Sequence, residues 1–511
     1  MAGTIKLDGA TFLEKDGSNY KITNTELKLK SSGNTIVDSN GNAVLSESGG
    51  NVSIGNIRLP ANGGIKDSSG NNVLSESGGS VTLGGVTITG GKIDDVNLGN
   101  VSSAEANLKW NDNSDTYTEN TTLHRVTAVH RNMKRCVLNA DGTVNYYLNE
   151  TDSTKKADGT TANIDGSDGN VMVEIPKFWL RQTRFGNQFT WEISDTAKTG
   201  YSVHPAFIKN GVEVSHRYIG AYSACYLDAT DSTYKSGKYV YDYSSYLDLS
   251  NDKLSSVSGV YPLVGVTRAQ CRSLAENNGS GWRVCDFYLM SAVQLLYLIE
   301  YGTFNTQSVL GNGNTNDSFD ERDESTNQAD SPTSIAGLSN SLGNGSTNVS
   351  TGAWTVTDPP TAFMSYRGIE NWYGNVGQFL DGINPNANGD YTIYASNTDT
   401  DFADGTATNY TDLGYCSTDN GYINSIKYTG QAGVTVSEIN VDGLFIPNHA
   451  FGASSSTYLC DYYYRPGTGN SNLVCIFGGA PEDLNEAGGF YYMFNAPTSY
   501  TSQVTGSRIA F

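Results

Sequence analysis

Positive charge is in short supply in this chain: 511 residues carry 32 Lys and Arg against 53 Asp and Glu, a formal charge of −21 at pH 7. Such a surface repels phosphate backbones and anionic lipid, because binding either needs basic groups that displace counterions. Nucleic acid is therefore not an expected partner. The sequence also lacks any run of about 18 consecutive apolar residues, the length a membrane helix needs, so no membrane insertion is expected. Met1-Ala2-Gly3-Thr4-Ile5-Lys6 lacks the basic start and apolar run of a secretory signal, which implies synthesis and folding in a cytosol. Cysteines stand at 136, 225, 271, 285, 416, 460 and 475, an odd number with no CxxC spacing. That pattern argues against a disulfide framework and against tetrahedral zinc, and leaves the thiols as small buried hydrophobes.

Glycine is plentiful where those are scarce. With 57 glycines and 12 prolines, interruptions come too often for a mainly helical protein, while the Tyr, Val, Thr and Ile content suits strands. The chain exceeds the size at which one core keeps growing, so two or more domains are expected.

The first hundred residues repeat. Ile36-Val37-Asp38-Ser39-Asn40-Gly41-Asn42-Ala43-Val44-Leu45-Ser46-Glu47-Ser48 returns as Ile65-Lys66-Asp67-Ser68-Ser69-Gly70-Asn71-Asn72-Val73-Leu74-Ser75-Glu76-Ser77, so Asp38 maps to Asp67 (67 − 38 = 29 residues). Each unit holds short alternating runs such as Val52-Ser53-Ile54 and Val81-Thr82-Leu83 between Gly/Asn/Ser turns. Units this small cannot bury a core alone and must stack on one another or on identical chains, which predicts a thin trimeric shaft over residues 1–105. A disordered Gly/Ser linker would share the composition, but linkers drift, whereas here the apolar positions recur in register.

From Trp110 the texture changes. Val171 to Leu180 alternates like a strand, and Gly186-Asn187 turns it toward a hairpin partner at Phe189–Ile193. Thr267 is placed to cap a helix from Arg268 through Glu276. Asp286 is placed to cap a longer one, with Leu289, Val293, Leu296 and Ile299 on one face and Gly302 as terminator. Residues 305 to 352 are rich in Asn, Ser, Thr, Gly and Asp and read as an extended surface excursion. Two helices among strands and long loops predict an α+β domain over 106–511.

The segment from Thr457 to Phe511 is the most informative. Tyrosines at 458, 462, 463, 464, 491, 492 and 500 lie among Ser, Gly and Asn. Tyrosine gives large contact area at low rotamer cost and its small polar neighbours give adaptable hydrogen bonding, which is the composition of a recognition surface.

Several runs together resemble a family. Lys134-Arg135-Cys136-Val137-Leu138-Asn139 with Asp141-Gly142-Thr143-Val144, Ile175-Pro176-Lys177-Phe178-Trp179, His204-Pro205-Ala206-Phe207, Tyr218-Ile219-Gly220-Ala221-Tyr222, Leu298-Ile299-Glu300-Tyr301-Gly302 and Tyr366-Arg367-Gly368-Ile369-Glu370-Asn371-Trp372-Tyr373-Gly374-Asn375 are similar to phage tail-fibre receptor-binding proteins. The resemblance covers about the last three-quarters of the chain and implies a C-type-lectin fold of the formylglycine-generating-enzyme variety. Ser456-Thr457-Tyr458-Leu459-Cys460-Asp461-Tyr462-Tyr463, Gly478-Gly479, Ala487-Gly488, Asn495-Ala496 and Gly506-Ser507-Arg508-Ile509-Ala510-Phe511 resemble more narrowly the targets of diversity-generating retroelements.

That resemblance implies a homotrimeric tail-fibre adhesin, at the virion's fibre tip, made in the host bacterial cytoplasm. Its partners would be a host surface receptor, protein or glycan, other copies of itself, and tail or baseplate proteins through its N-terminus. It implies a variable, receptor-contacting segment at 457–511 containing Tyr463, Tyr464, Thr468, Leu473, Cys475, Phe477, Asp483, Asn485, Tyr491, Tyr492, Phe494, Ser499, Tyr500 and Ser502. Gly478, Gly479, Gly488, Gly506 and Arg508 would be scaffold. Leu473, Cys475 and Phe477 share one strand face and could line one side of a pocket. Aromatics at alternate strand positions are more often core than platform, and Phe477 and Phe494 are left open between the two. Tyr491 and Tyr492 are expected at the surface, after the Gly488-Gly489 turn. Tyr366 to Asp381, with Arg367 and Trp372, reads as structural.

An enzyme is not expected. An oxidase of the formylglycine-generating kind would need an activated thiol, and no Lys, His or Arg flanks Cys475 in sequence. A glycan depolymerase would need two carboxylates about 5–9 Å apart, and among Glu370, Asp381, Glu482, Asp483 and Glu486 no pair stands out. No cofactor is expected. Asp317-Ser318-Phe319-Asp320-Glu321-Arg322-Asp323-Glu324 is acidic enough to attract calcium but lacks the spacing of an EF-hand loop, so metal binding stays open.

Overall fold

The computed structural model describes residues 128–235, 244–315, 333–349, 361–386, 392–405, 408–428, 441–450, 452–457, 459–467 and 472–511, and the strands that precede them. The chain divides into two compact units, Met1–Leu98 and Gly99–Phe511.

In the first unit the repeat folds twice in the same way. Thr35–Val37, Ala43–Ser48 and Asn51–Ile54 form one antiparallel meander, and Gly64–Lys66, Asn72–Ser77 and Ser80–Leu83 form its counterpart. Leu45 pairs with Ile54 in the first, and Leu74 with Leu83 in the second. Sequence repetition here is repetition of one hairpin-built unit.

The second unit is β-rich with few helices, and its largest sheet has seven strands. In spatial order these are Asp152–Lys156, Val144–Asn149, Lys134–Leu138, Asn170–Pro176, His216–Gly220, Ile509–Ala510 and Arg283–Val284. The last strand of the chain thus lies between two strands that precede it by more than two hundred positions, with Ile219 opposite Ala510 and Arg283 opposite the same residue.

A five-stranded sheet carries the hairpin, with one correction to the reading of Val171–Leu180. That run is two strands, broken after Pro176: Asn170–Pro176 belongs to the seven-stranded sheet, and Trp179–Phe185 pairs with Gln188–Ser194 around the Gly186-Asn187 turn. Proline ends a strand readily because it cannot donate to the ladder.

Both predicted helices form at the predicted residues. Thr267 caps Arg268–Glu276 and exchanges bonds with Gln270 as a capping box. Asp286 caps Phe287–Tyr301, its Oδ1 accepting from the Leu289 N–H at 2.9 Å, and Gly302 closes the helix in the left-handed region at φ 65°. Every residue of this helix from Phe287 to Glu300 is buried, so it runs through the core rather than over it.

Asp286 has a second role. Burial pushes its carboxyl up, but Arg217 and Arg283 outweigh burial and hold it at about 2. Arg217 donates to Asp286 Oδ2 at 2.7 Å, both side chains being almost wholly buried. Trp372 packs on the same helix without exposure, its Nε1 donating to the Met290 sulfur at 3.1 Å. Arg367 makes a two-pronged pair with Glu300 at 2.6 and 2.7 Å, so Arg367 and Trp372 both hold the core helix.

The excursion at 305–352 is corrected for its described part. Thr306–Leu310 is helical, Thr347–Val349 pairs with Phe363–Tyr366, and Thr333, Ser334 and Ser339 are buried. The Ser334 N–H reaches Asn375 Oδ1 and the Ser339 hydroxyl reaches Glu370, so the polar residues of this segment satisfy interior partners instead of water. The acidic run Asp317–Glu324 lies outside the described residues. All seven cysteines are free and buried. Among the described residues no helix is long and apolar enough to cross a membrane.

Candidate functional site

The tyrosine-rich segment builds most of a six-stranded sheet, ordered Gly421–Tyr422, Tyr462–Tyr464, Tyr492–Pro497, Leu473–Phe477, Gly377–Leu380 and Thr505–Gly506. Its central strands have neighbours on both sides and protein over both faces. Leu473-Val474-Cys475-Ile476-Phe477 is accordingly buried at every position, as a strand covered on both faces must be.

This burial corrects half of the expected contact set. Tyr463, Leu473, Cys475, Phe477, Tyr492, Phe494 and Ser502 lie in the interior, none more than 1 % exposed. Tyr492 and Phe494 stack at 5.6 Å, Phe477 meets Tyr492 at 5.8 Å, and the Tyr492 hydroxyl donates to Gln294 of the central helix. Leu473, Cys475 and Phe477 do share a face, but it is the core face. Tyr463 points inward because its strand alternates, leaving Tyr462 and Tyr464 outward.

Four of the remaining seven converge. Tyr464, Asp483, Tyr491 and Tyr500 line one cleft of about 200 Å³, together with Ile476, Glu482, Met493 and Asn495. Tyr491, expected at the surface, is only 3 % exposed and forms part of the wall instead. The strand parity explains the division: Tyr491, Met493 and Asn495 take the cleft side, while Tyr492 and Phe494 between them take the core. Rings continue outward from the cleft, Tyr491 to Tyr464 at 6.0 Å, Tyr464 to Tyr462 at 4.6 Å and Tyr462 to Tyr422 at 5.2 Å. Asn485 and Ser499 are exposed, Asn485 on the rim of a separate hollow with Asn305 and Asp461. Thr468 lies outside the described residues.

The cleft is rich in acceptors. The Tyr464 hydroxyl donates to Glu486 at 2.9 Å, and Asp483 Oδ2 accepts from the Ala480 N–H at 2.7 Å. Burial, with Asp483 and Glu486 close by, holds the Tyr491 phenol well above its ordinary range, so it stays a neutral donor. Glu486 is also raised by burial, although the Tyr464 bond pulls the other way. Asn495 Oδ1 is buried without a partner. No Lys, Arg or His is among the lining residues. Such a wall complements a group that donates hydrogen bonds or carries positive charge.

The backbone around the cleft is held by positions that admit only glycine. Gly478 and Gly479 take φ of 90° and 74°, and a Cβ on Gly488 would sit 2.2 Å from an Asp461 oxygen. Leu484, between Asp483 and Asn485, adopts φ 49° and is 45 % exposed. A large apolar side chain held outward in the left-handed region is a strained arrangement of the kind found at binding sites. Sequence reading missed Leu484 and Met493, and it named Glu482 and Asn495 without placing them in a contact surface. The i, i+2 spacing of Tyr491, Met493 and Asn495 was the available signal.

Burial pushes the Cys475 thiol up, the wrong direction for a nucleophile. Among the described residues no group of three or more His, Cys, Asp or Glu side chains is placed to hold a metal ion. No protein-family model and no curated protein matches the chain.

Proposed function

We propose that this protein is a receptor-binding adhesin of a phage tail fibre, with a repeat-built shaft and a C-type-lectin-like head. The observation that carries the reading is the cleft of Tyr464, Tyr491, Tyr500, Asp483 and Asn495 at the end of a glycine- and arginine-braced frame. Rigid strands supply the frame and the Pro481–Glu486 turn supplies an adjustable rim, the division of labour expected where contact residues must change without loss of fold. The contact set is smaller than the tyrosine count suggests, because Tyr463 and Tyr492 serve the core.

Targeting by a diversity-generating retroelement fits a surface in which exposed positions tolerate substitution at about ±0.5 kcal/mol each. Binding by a trimer, several to a virion, would make modest affinity per tip sufficient. The receptor group at the cleft is a hydrogen-bond donor or cation on the bacterial surface, either protein or glycan. Binding rather than catalysis is the activity proposed.

The test is adsorption of the purified protein to a panel of bacteria, comparing the parent with Tyr464→Ala and Tyr500→Ala. Binding to at least one strain, reduced tenfold or more in both variants at unchanged melting temperature, is expected. Undiminished binding in both would remove this cleft from the function.

A further inference from the structure

A second and larger cleft, about 440 Å³, is built from five separated stretches of chain and shares no lining residue with the tyrosine cleft. Leu180 and Gln182 come from the five-stranded sheet, Val203 from its edge strand, Ile208 from the segment that follows, Tyr288 from the head of the core helix, and Asn397 from a later loop.

Two amide side chains in its wall are locked end for end. Gln182 Oε1 accepts from Trp191 Nε1 at 2.7 Å and from the Gly443 N–H at 2.9 Å, which fixes the flip and leaves Nε2 as a spare donor. Asn397 is locked in the opposite sense: its Nδ2 donates to the carbonyls of Pro205 and Ile208, and its Oδ1 is buried without a partner. The Tyr288 hydroxyl, on a side chain 8 % exposed, has no hydrogen-bond partner among the described residues. The wall thus presents a fixed donor, a fixed acceptor and a hydroxyl beside an apolar strip of Leu180, Val203 and Ile208.

Charge narrows the ligand further. Arg181, also in the wall, is engaged by Glu192 at 2.5 and 2.8 Å and lies over the Tyr201 ring, so it offers no free charge to an anion. A hydrocarbon would leave the amides unpaired.

We propose that this cleft is a binding site for a neutral saccharide, a pyranose ring whose hydroxyls pair with Gln182 Nε2, Asn397 Oδ1 and the Tyr288 hydroxyl while its C–H face lies on the apolar strip. The volume suits one or two rings. A site so placed would hold surface glycan independently of the tyrosine cleft, adding a second attachment point to each head.

The experiment is saturation-transfer NMR and calorimetry on the full chain with a panel of neutral methyl pyranosides and N-acetylated hexosamines, with a mixed neutral peptide library as comparison. Ser202 is exposed on the cleft margin, so Ser202→Trp fills the cleft without disturbing the core. At least one saccharide is expected to bind the parent, to bind Tyr288→Phe about tenfold more weakly, as loss of one hydrogen bond would give, and not to bind Ser202→Trp. All three proteins should melt alike. Absence of saccharide binding to the parent, its survival in Ser202→Trp, or binding of peptides in place of saccharides would each overturn the proposal.

Discussion

Arg508 Nη1 donates to the carbonyl oxygen of Gly220 at 2.8 Å, across 288 residues of chain. The same guanidinium gives bonds to Gln378 Oε1 and to the carbonyls of Glu370 and Asn371, and it is wholly buried with no carboxylate on it. Burial lowers its pKa to about 10, so it remains charged at neutral pH. One side chain near the end of the sequence therefore ties together the seven-stranded sheet, the Tyr366–Asp381 run and the strand beside the tyrosine cleft.

Removing it should be severe. Each buried acceptor left bare costs about 1–3 kcal/mol, so Arg508→Ala is expected to lose about 3 kcal/mol or more of unfolding free energy in urea. Arg508→Lys should recover little, because one ammonium cannot reach acceptors spread around a planar fork. A urea midpoint for Arg508→Ala within error of the parent would mean that the fork is not a brace.

Asp461 makes stability depend on pH. Its carboxyl is wholly buried and pushed up to about 8 by burial, with the Phe490 N–H and the Cys460 thiol pulling it partly back. The folded state then keeps a proton that the unfolded chain, with an ordinary carboxyl near 3.9, has already released. The stability contributed is full below about pH 4, falls as pH rises toward about 8, and is absent above that. His204 slopes the other way, since burial lowers it to about 4: its contribution is present above the unfolded value near 6.5 and is lost as pH falls through 4. The difference between parent and Asp461→Asn cancels the histidine. Asp461→Asn should therefore gain on the parent steadily from pH 4 to 8 in urea titrations, and a constant difference would refute the assignment.

What could be read from the sequence was what is decided locally. Thr267, Asp286 and Gly302 mark helix ends through bonds within a few residues, and those helices stand where expected. The side of a strand on which an aromatic falls is decided elsewhere. Tyr491 and Tyr492 are adjacent and chemically identical, yet one meets the cleft and the other the core, because the sheet is covered by a helix whose Gln294 lies 198 residues from Tyr492. Pro176 shows the same limit, since alternation ran through it and only pairing with His216 placed the residue at the end of its strand. The cleft itself joins Gly377, Tyr464, Ile476 and Thr505, which no local pattern associates.

Trp372 tests the core that supports both clefts. It is unexposed and within 6.3 Å, ring to ring, of Tyr297, Tyr366, Tyr373 and Phe477. Trp372→Ala should lose about 3–5 kcal/mol, the range for deleting a large buried aromatic, and a variant that melts like the parent would show the cluster to be dispensable.

The tyrosine cleft predicts how receptor binding responds to charge. Glu482 and Asp483 line it without a basic residue in the wall, and Glu486 closes the hydrogen bond from Tyr464. A positively charged receptor group would be drawn by Asp483, whose Oδ2 is already positioned by the Ala480 N–H. Asp483→Asn keeps an oxygen able to accept that N–H, so it alters charge more than shape. Binding to a responsive strain should weaken about threefold to tenfold, as loss of a partly exposed charge contact of about 1 kcal/mol would give, and the parent's salt dependence should flatten in the variant. If Asp483→Asn binds as tightly as the parent at every ionic strength while Tyr464→Ala does not bind, the receptor group is a neutral donor and the carboxylates serve only to hold the rim.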